Sequence, residues 1–419
     1  GWEDVKLDKN YIFKPTGNVD ENLYSQFWHI ASDSESAIFE RHCSGLKLAP
    51  THLLVHFNMG QLKRRNRFIA DETNSYEQIM NRWYKGQTKP PAQRKLSHEV
   101  KTCLANSGLK IVDYSYRPFL TASLLLDNTL MDALRKTEGG GMRERPEVQA
   151  AYEDDSVFGF VAAPAPADIA TKIKKFTSFS WYLPDNDLVT RSNSHIFCNK
   201  FPDYKKSQRN WKKEVKSNVN SSLLNTMSKI YGIPASELSD EIVFYTYAVL
   251  NSNLYLHAFE GKLYATAGEW PAIPIPQTKL LFEQMVRIGK DMATIEKKDY
   301  QSEHTLAIFN EEVIKNEVEI YTPSLSDEFV SFTDALGNIV RSTVVPKEIL
   351  HFESSGYEVV REWMKYHQYA YYRKACGKEE FEDLFNLLGK ILDFINQVAL
   401  ADIQMKQILE DKFVSPKLI

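Results

Sequence analysis

Cysteine is scarce: Cys43, Cys103, Cys198 and Cys376 lie far apart, and no CxxC or Cys/His spacing could gather them around a metal. A zinc-organised fold is thereby excluded, and thiols in a reducing cytoplasm are the expected state. No apolar run is long enough to cross a bilayer, and the N-terminus lacks the basic-then-apolar layout of a signal peptide. No glycine-rich loop follows a strand to hold nucleotide phosphates or S-adenosylmethionine. Also missing is an Asn/Asp/Ser-Pro-Pro-aromatic loop, which adenine methylation uses to accept from the exocyclic amine and stack on the flipped base. Lys89-Pro-Pro-Ala92 comes near but lacks both working residues. There are no internal repeats. A net charge of −4 rules out a uniformly basic coat, so any polyanion has to be met by a patch.

What is present is an ordinary globular composition, 43% hydrophobic and 25% charged over 419 residues, enough for a sizeable core and two or three domains. From Thr171 to Lys216 there are 11 Lys/Arg against 4 Asp/Glu, interleaved with Phe176, Phe179, Trp181, Tyr182, Phe201, Tyr204 and Trp211. Cations mixed with aromatics suit a phosphate-tracking surface. A second cluster, Lys63, Arg64, Arg65 and Arg67, lies a hundred residues earlier. With Lys172, Lys174, Lys175, Arg191, Lys205, Lys206, Arg209, Lys212 and Lys213 it is expected to line a duplex-binding cleft, provided the fold unites the two clusters.

Thr51-His-Leu-Leu-Val-His-Phe57 reads as a strand leading into a basic helix or loop, and Ser75 to Leu104 reads as helix broken at Lys89-Pro-Pro91. A boundary is placed near residue 110. The stretch 111–204 is expected to be mostly sheet, with Gly139-Gly-Gly141 in a mobile loop. Helices resume after Asn218, one of them capped by Ser239 or Asp240 and running to Leu250. Trp270-Pro-Ala-Ile-Pro-Ile-Pro276 must be extended, because its prolines forbid helix, and is expected to cross the surface. Another helix is placed around Leu280 to Ile295, and 317–345 reads as a β meander turning at Leu336-Gly-Asn338. From about Lys378 to Leu409, Phe381, Leu384, Leu388, Ile391, Ile395 and Val398 recur at three- and four-residue spacing, as in a helix packed on its own domain. The fold class is α+β, divided as a mixed α/β segment 1–110, a recognition core 111–345 and a helical segment 346–419.

In order, these landmarks resemble the C-terminal target-recognition region of type ISP restriction-modification enzymes, single polypeptides joining nuclease, helicase-like ATPase, adenine methyltransferase and recognition parts. The resemblance covers roughly residues 38 to 410. Its pieces are Ile38-Phe-Glu40 through Val55-His-Phe-Asn58, Tyr116-Arg-Pro-Phe119, Phe201-Pro-Asp-Tyr204, Phe244-Tyr-Thr-Tyr-Ala-Val-Leu-Asn-Ser252 with Tyr255, Pro271 to Pro276, and Gly356-Tyr357 with Trp363-Met-Lys365. The chain departs from the family at Asn251-Ser-Asn253, at Ala272 in place of an arginine, and at Leu124 to Leu126 in place of aromatics. The resemblance implies sequence-specific recognition of double-stranded DNA, positioning an adenine for an upstream methyltransferase domain, with the helicase domain as a further partner in the same polypeptide. S-adenosylmethionine, ATP and Mg²⁺ are implied for the parent enzyme and none for this stretch. A start at Gly1-Trp2 without methionine agrees with a longer native polypeptide.

Other readings stay open. Pro202-Asp203, with Glu214-Val-Lys216 ten residues on, fits a loose pattern in which two carboxylates hold Mg²⁺ and a lysine orients the attacking water of a nuclease. The heptad-like helix would suit a scaffold with no DNA affinity. His52 and His56 have helical metal-pair spacing in a sequence that favours strand. Arg117 could reach a phosphate or guanine edge, or could pair with a buried carboxylate. The aromatics of Trp363 to Lys374 could stack on bases, but are read as anchors for the last helix.

Overall fold

The computed structural model describes residues 21–31, 37–106, 108–137, 143–166, 175–190, 194–202, 215–263, 267–304, 322–326, 329–333 and 339–416. The architecture is α+β: several small sheets packed against helices. One sheet orders Val55–His56, Leu120–Leu125, Ile111–Arg117 and Leu183–Pro184, the last pair parallel. A second, antiparallel, orders Thr177–Ser180, Gly159–Ala162 and His195–Cys198. A third is the expected meander, Thr322–Leu325, Phe329–Thr333 and Ile339–Val344. The turn at 336–338 lies outside the described residues, as does 139–141.

The Lys378–Leu409 helix follows the sequence reading closely. Its seam of Phe381, Leu384, Leu388, Ile391 and Val398 is buried against the Ala235–Asn251 and Lys279–Ile295 helices and their neighbours. Contrary to the sequence expectation, Glu379–Leu409 is long and apolar enough to cross a bilayer, but 56% of its most apolar window is buried inside this fold. The Ala235–Asn251 and Lys279–Ile295 helices touch so closely that a Cβ on Gly289 would lie 2.0 Å from the Phe244 carbonyl oxygen.

Trp270–Pro276 is extended as expected, but it runs through the interior, with residues 271–276 buried. Ala272–Ile273 pairs with Trp28–His29. Tyrosine hydroxyls from three successive helices donate to its carbonyls: Tyr255 to Ala272 at 2.8 Å, Tyr245 to Pro274 at 2.5 Å, and Tyr231 to Pro276. The Ile30 and Val414 amides donate to Pro271 and Ile275 at 2.9 and 2.8 Å. Burial is tolerable because these carbonyls are satisfied.

Other expectations need correction. Thr51–Leu54 is a helical turn whose Thr51 hydroxyl donates to Leu48 O at 2.8 Å, and only Val55–His56 is strand. The sheet-rich stretch also contains the Asn128–Lys136 helix, capped by Asp127, and Pro146–Ala151, with proline in the first turn. The Ala235–Asn251 helix begins after Pro234. Ser239 lies inside it, hydrogen bonded to Ser217 at 2.6 Å, and Asp240 accepts from Asn199 at 2.8 Å. Packing also runs across residue 110, since Val55–His56 pairs with Leu120–Leu125.

Glu296, at the end of the Lys279–Ile295 helix, ties several of these elements together. Its buried carboxylate accepts from Ser178 Oγ at 2.9 Å, Phe179 N at 3.1 Å, the Tyr247 hydroxyl and the Phe119 amide. Burial dominates these hydrogen bonds and pushes its pKa up to about 7. The folded state therefore keeps this proton to higher pH than the unfolded chain. The associated stability is complete below the unfolded carboxyl pKa and is lost as pH rises through about 7. Glu296→Gln is expected to gain about 3 kcal/mol relative to wild type between about pH 4 and about pH 8, read from urea unfolding. Parallel pH profiles for the two proteins would refute this.

Candidate nucleic-acid interface

The cluster Lys63, Arg64, Arg65 and Arg67 sits on the Met59–Ala70 helix, capped by Asn58, whose side chain accepts from Gln61 N at 3.0 Å. Helical phase puts Leu62, Arg65, Asn66 and Ile69 inward and leaves Lys63, Arg64 and Arg67 exposed. Arg65 is only 3% exposed. Its guanidinium donates to Leu53 O at 2.8 Å and Val55 O at 3.4 Å, so it fastens the helix to the neighbouring turn and strand. Three of the four cations grouped in the sequence thus face solvent, and the fourth is internal.

Arg117 ends the Ile111–Arg117 strand, where Pro118-Phe119 reverses the chain into Leu120–Leu125. Phe119 takes a left-handed φ of 64°, the conformation a turn usually gives to glycine. Its ring holds that position by packing edge-on against Phe352 and Phe394, with centroids 5.8 and 5.2 Å away. The Arg117 guanidinium lies over the Tyr116 ring at 4.1 Å and meets Asp185 Oδ1 at 3.2 Å and Glu362 Oε2 at 3.7 Å. Tyr114 OH donates to the other Asp185 oxygen at 2.6 Å. Burial raises the Asp185 pKa despite Arg117, Tyr114 and the Asp187 amide. Of the two roles open to Arg117, the fold supplies the buried carboxylate.

Lys175 is sunk rather than displayed. Its ammonium lies 5.2 and 6.0 Å from the Phe352 and Phe394 ring centroids, beside a cavity of about 570 Å³ that also touches His257 and His351. Burial lowers its pKa to about 8. Lys172, Lys174, Arg191, Lys205, Lys206, Arg209, Lys212 and Lys213 lie outside the described residues, as do Asp203 and Glu214. Lys216 is exposed on Val215–Ser217, paired with Lys200–Pro202.

His52 and His56 fall on a turn and a strand. Burial lowers them to about 4 and about 3, making neutral rings, and among the described residues no group of three His, Cys, Asp or Glu could hold a metal. Trp363 donates to Asp383 at 2.6 Å and Tyr372 to Glu380 at 2.9 Å, so these aromatics anchor the last helix. Within the sheet-rich part, a cleft of about 500 Å³ is lined by Asp113, Glu153, Asp154, Asp155 and Asp299. Lys110 and Lys297 also line it, and the carboxylates outnumber the ammonium groups there. Sequence reasoning passed over Arg82, whose guanidinium the fold sets over Phe68 of the basic helix, and over Lys85 and Lys89, exposed on the loop that follows.

Removing Arg117 would leave the Asp185 carboxylate buried beside one tyrosine. Arg117→Met is therefore expected to cost about 3–5 kcal/mol in urea unfolding, and adding Asp185→Leu to recover much of that loss. A neutral single substitution would show that Arg117 does not serve this pair.

Comparison with known proteins fits this architecture. Residues 37–383 match the family described as the Type ISP C-terminal specificity domain. The fold is similar to the ATP-dependent Type ISP restriction-modification enzyme LlaBIII bound to DNA, with a TM-score of 0.57 and 13% identity. A nuclease-deletion mutant of the Type ISP enzyme LlaGI in complex with a DNA substrate mimic gives 0.54 and 16%, and a DrdV–DNA complex 0.54 and 15%. These alignments cover 98%, 98% and 99% of this chain but 26%, 30% and 40% of the other chains, so this chain spans about a quarter to two-fifths of their length. No curated protein matches. At such identities the structures speak for the fold, while the family match covers most of the sequence: the chain belongs to the Type ISP C-terminal specificity domain family.

Proposed function

We propose that this chain is the part of a restriction-modification enzyme that recognises a specific sequence in double-stranded DNA and holds its target adenine for a methyltransferase domain elsewhere in the polypeptide. The observation carrying this reading is the specificity-domain match over residues 37–383, which takes in both the Met59–Ala70 helix and the Arg117 hairpin. The DNA-bound state of the structural neighbours supports it. Lys63, Arg64 and Arg67 would contact phosphates, joined by the cations of 172–174, 191 and 205–213. Polar side chains on loops of the recognition core would read base edges in the major groove. Catalysis, together with S-adenosylmethionine, ATP and Mg²⁺, would belong to other domains of a cytoplasmic parent enzyme.

The test is fluorescence anisotropy of the 419-residue chain on a random duplex pool, followed by selection of the bound fraction. Salt-sensitive binding and enrichment of one sequence are expected. Absent binding would refute the proposal, as would Mg²⁺-dependent plasmid cutting abolished by Asp203→Ala.

A further inference from the structure

We infer that the duplex-gripping surface continues from the Met59–Ala70 helix onto the Met80–Tyr84 π-helical turn and the loop after it, so that Lys63, Arg64, Arg67, Arg82, Lys85 and Lys89 form one stripe along a phosphodiester backbone. The inference rests on the DNA-binding reading above. It adds a location and a division of labour: sequence-independent grip here, base reading elsewhere.

Contacts join the Met80–Tyr84 turn to the Met59–Ala70 helix and fix the backbone that carries Lys85 on to Lys89. The Arg82 guanidinium lies 4.7 Å from the ring centroid of Phe68, one helical turn beyond Arg64. Three residues on, the Lys85 backbone is fixed in place: its carbonyl, and that of Trp83 at 2.9 Å, accept from Arg373. Arg373 in turn lies 5.9 Å from the ring of Tyr369, the most exposed aromatic among the described residues at 58%. Gly86 turns the chain at a φ of +87°, and Gln87 locks the bend by donating to Trp83 O and Ala370 O at 3.0 and 3.1 Å. These cations are therefore mounted on rigid backbone, and π-helical turns of this kind recur at functional sites.

Many exposed cations elsewhere are paired. Arg135, Lys136, Lys101, Lys279, Lys290, Lys298, Arg361 and Lys365 each have a carboxylate partner. Among the described residues, none of the six cations of the stripe has one. The acidic neighbours are Asp71, Glu72 and Glu77. Asp71 accepts from Thr73, and Glu72 is engaged by His98 and Lys101. Exposed, unpaired, rigidly mounted cations in a chain of net charge −4 fit a dense linear polyanion.

The test measures duplex affinity between about 50 and about 200 mM salt for wild type, for R82Q/K85Q/K89Q, and for K229Q/K279Q/K406Q, which removes equal charge from other faces. The stripe variant should flatten the slope of log K against log salt by roughly 2 to 3, and weaken binding at 0.1 M salt by roughly a hundredfold or more, equally on selected and unrelated duplexes. The control variant should keep the wild-type slope. A stripe variant with unchanged slope, in a protein that otherwise binds DNA, overturns this inference alone. Loss confined to the selected sequence overturns the gripping role. A wild-type chain that binds no duplex overturns both this and the proposed function.

Discussion

A backbone with prolines at 271, 274 and 276 cannot donate at those positions, yet its carbonyls still demand partners once buried. That demand organises the centre of this fold. Tyr231, Tyr245 and Tyr255 each reach one carbonyl from a different helix, while the segments around Trp28 and Val414 close on it from either side. Each hydroxyl is an amphipathic tip on a ring that fills the core, so one side chain supplies both packing and hydrogen bonding. Of the helices fixed in this way, Ala235–Asn251 packs against the Gly159–Ala162 and Thr177–Ser180 strands.

Within that frame, charge is sorted by what surrounds it. Arg65 and Arg117 turn inward to carbonyls and to carboxylates, and Lys175 is lodged between rings. The cations on the outer side of the Met59–Ala70 helix and the Met80–Tyr84 turn stay open. Carboxylates collect instead around the cleft near Asp113 and Asp155. In a chain of slightly negative overall charge, the proposed grip on DNA needs such separation, because long-range repulsion would otherwise offset the local attraction.

Much of the fold was legible because periodicity is local. The Lys378–Leu409 seam, the Ile111–Arg117 strand and the meander all declare themselves within a few residues. The Asn128–Lys136 helix was equally legible in Asp127 and the spacing of Leu130, Met131 and Leu134, but was masked by the strand character around it. Part of the site was readable too: Leu62, Arg65 and Ile69 share a helical face, which already places Arg65 inside. The partner of Arg117 was not, since Asp185 lies 68 residues away and nothing in either neighbourhood announces the pairing. Burial of the proline segment was hidden for the same reason, its donors being distant tyrosines.

The link between Trp28 and Val414, at 2.7 Å and 386 residues apart in sequence, bears on biosynthesis. A polypeptide emerging from the ribosome cannot complete this core until Val414 has been made. Until then Phe27 lacks Phe413, and the proline segment lacks the amide of Val414. Closure comes late and over long range, so the nascent chain must travel through a period in which its apolar centre is open to water and to other proteins.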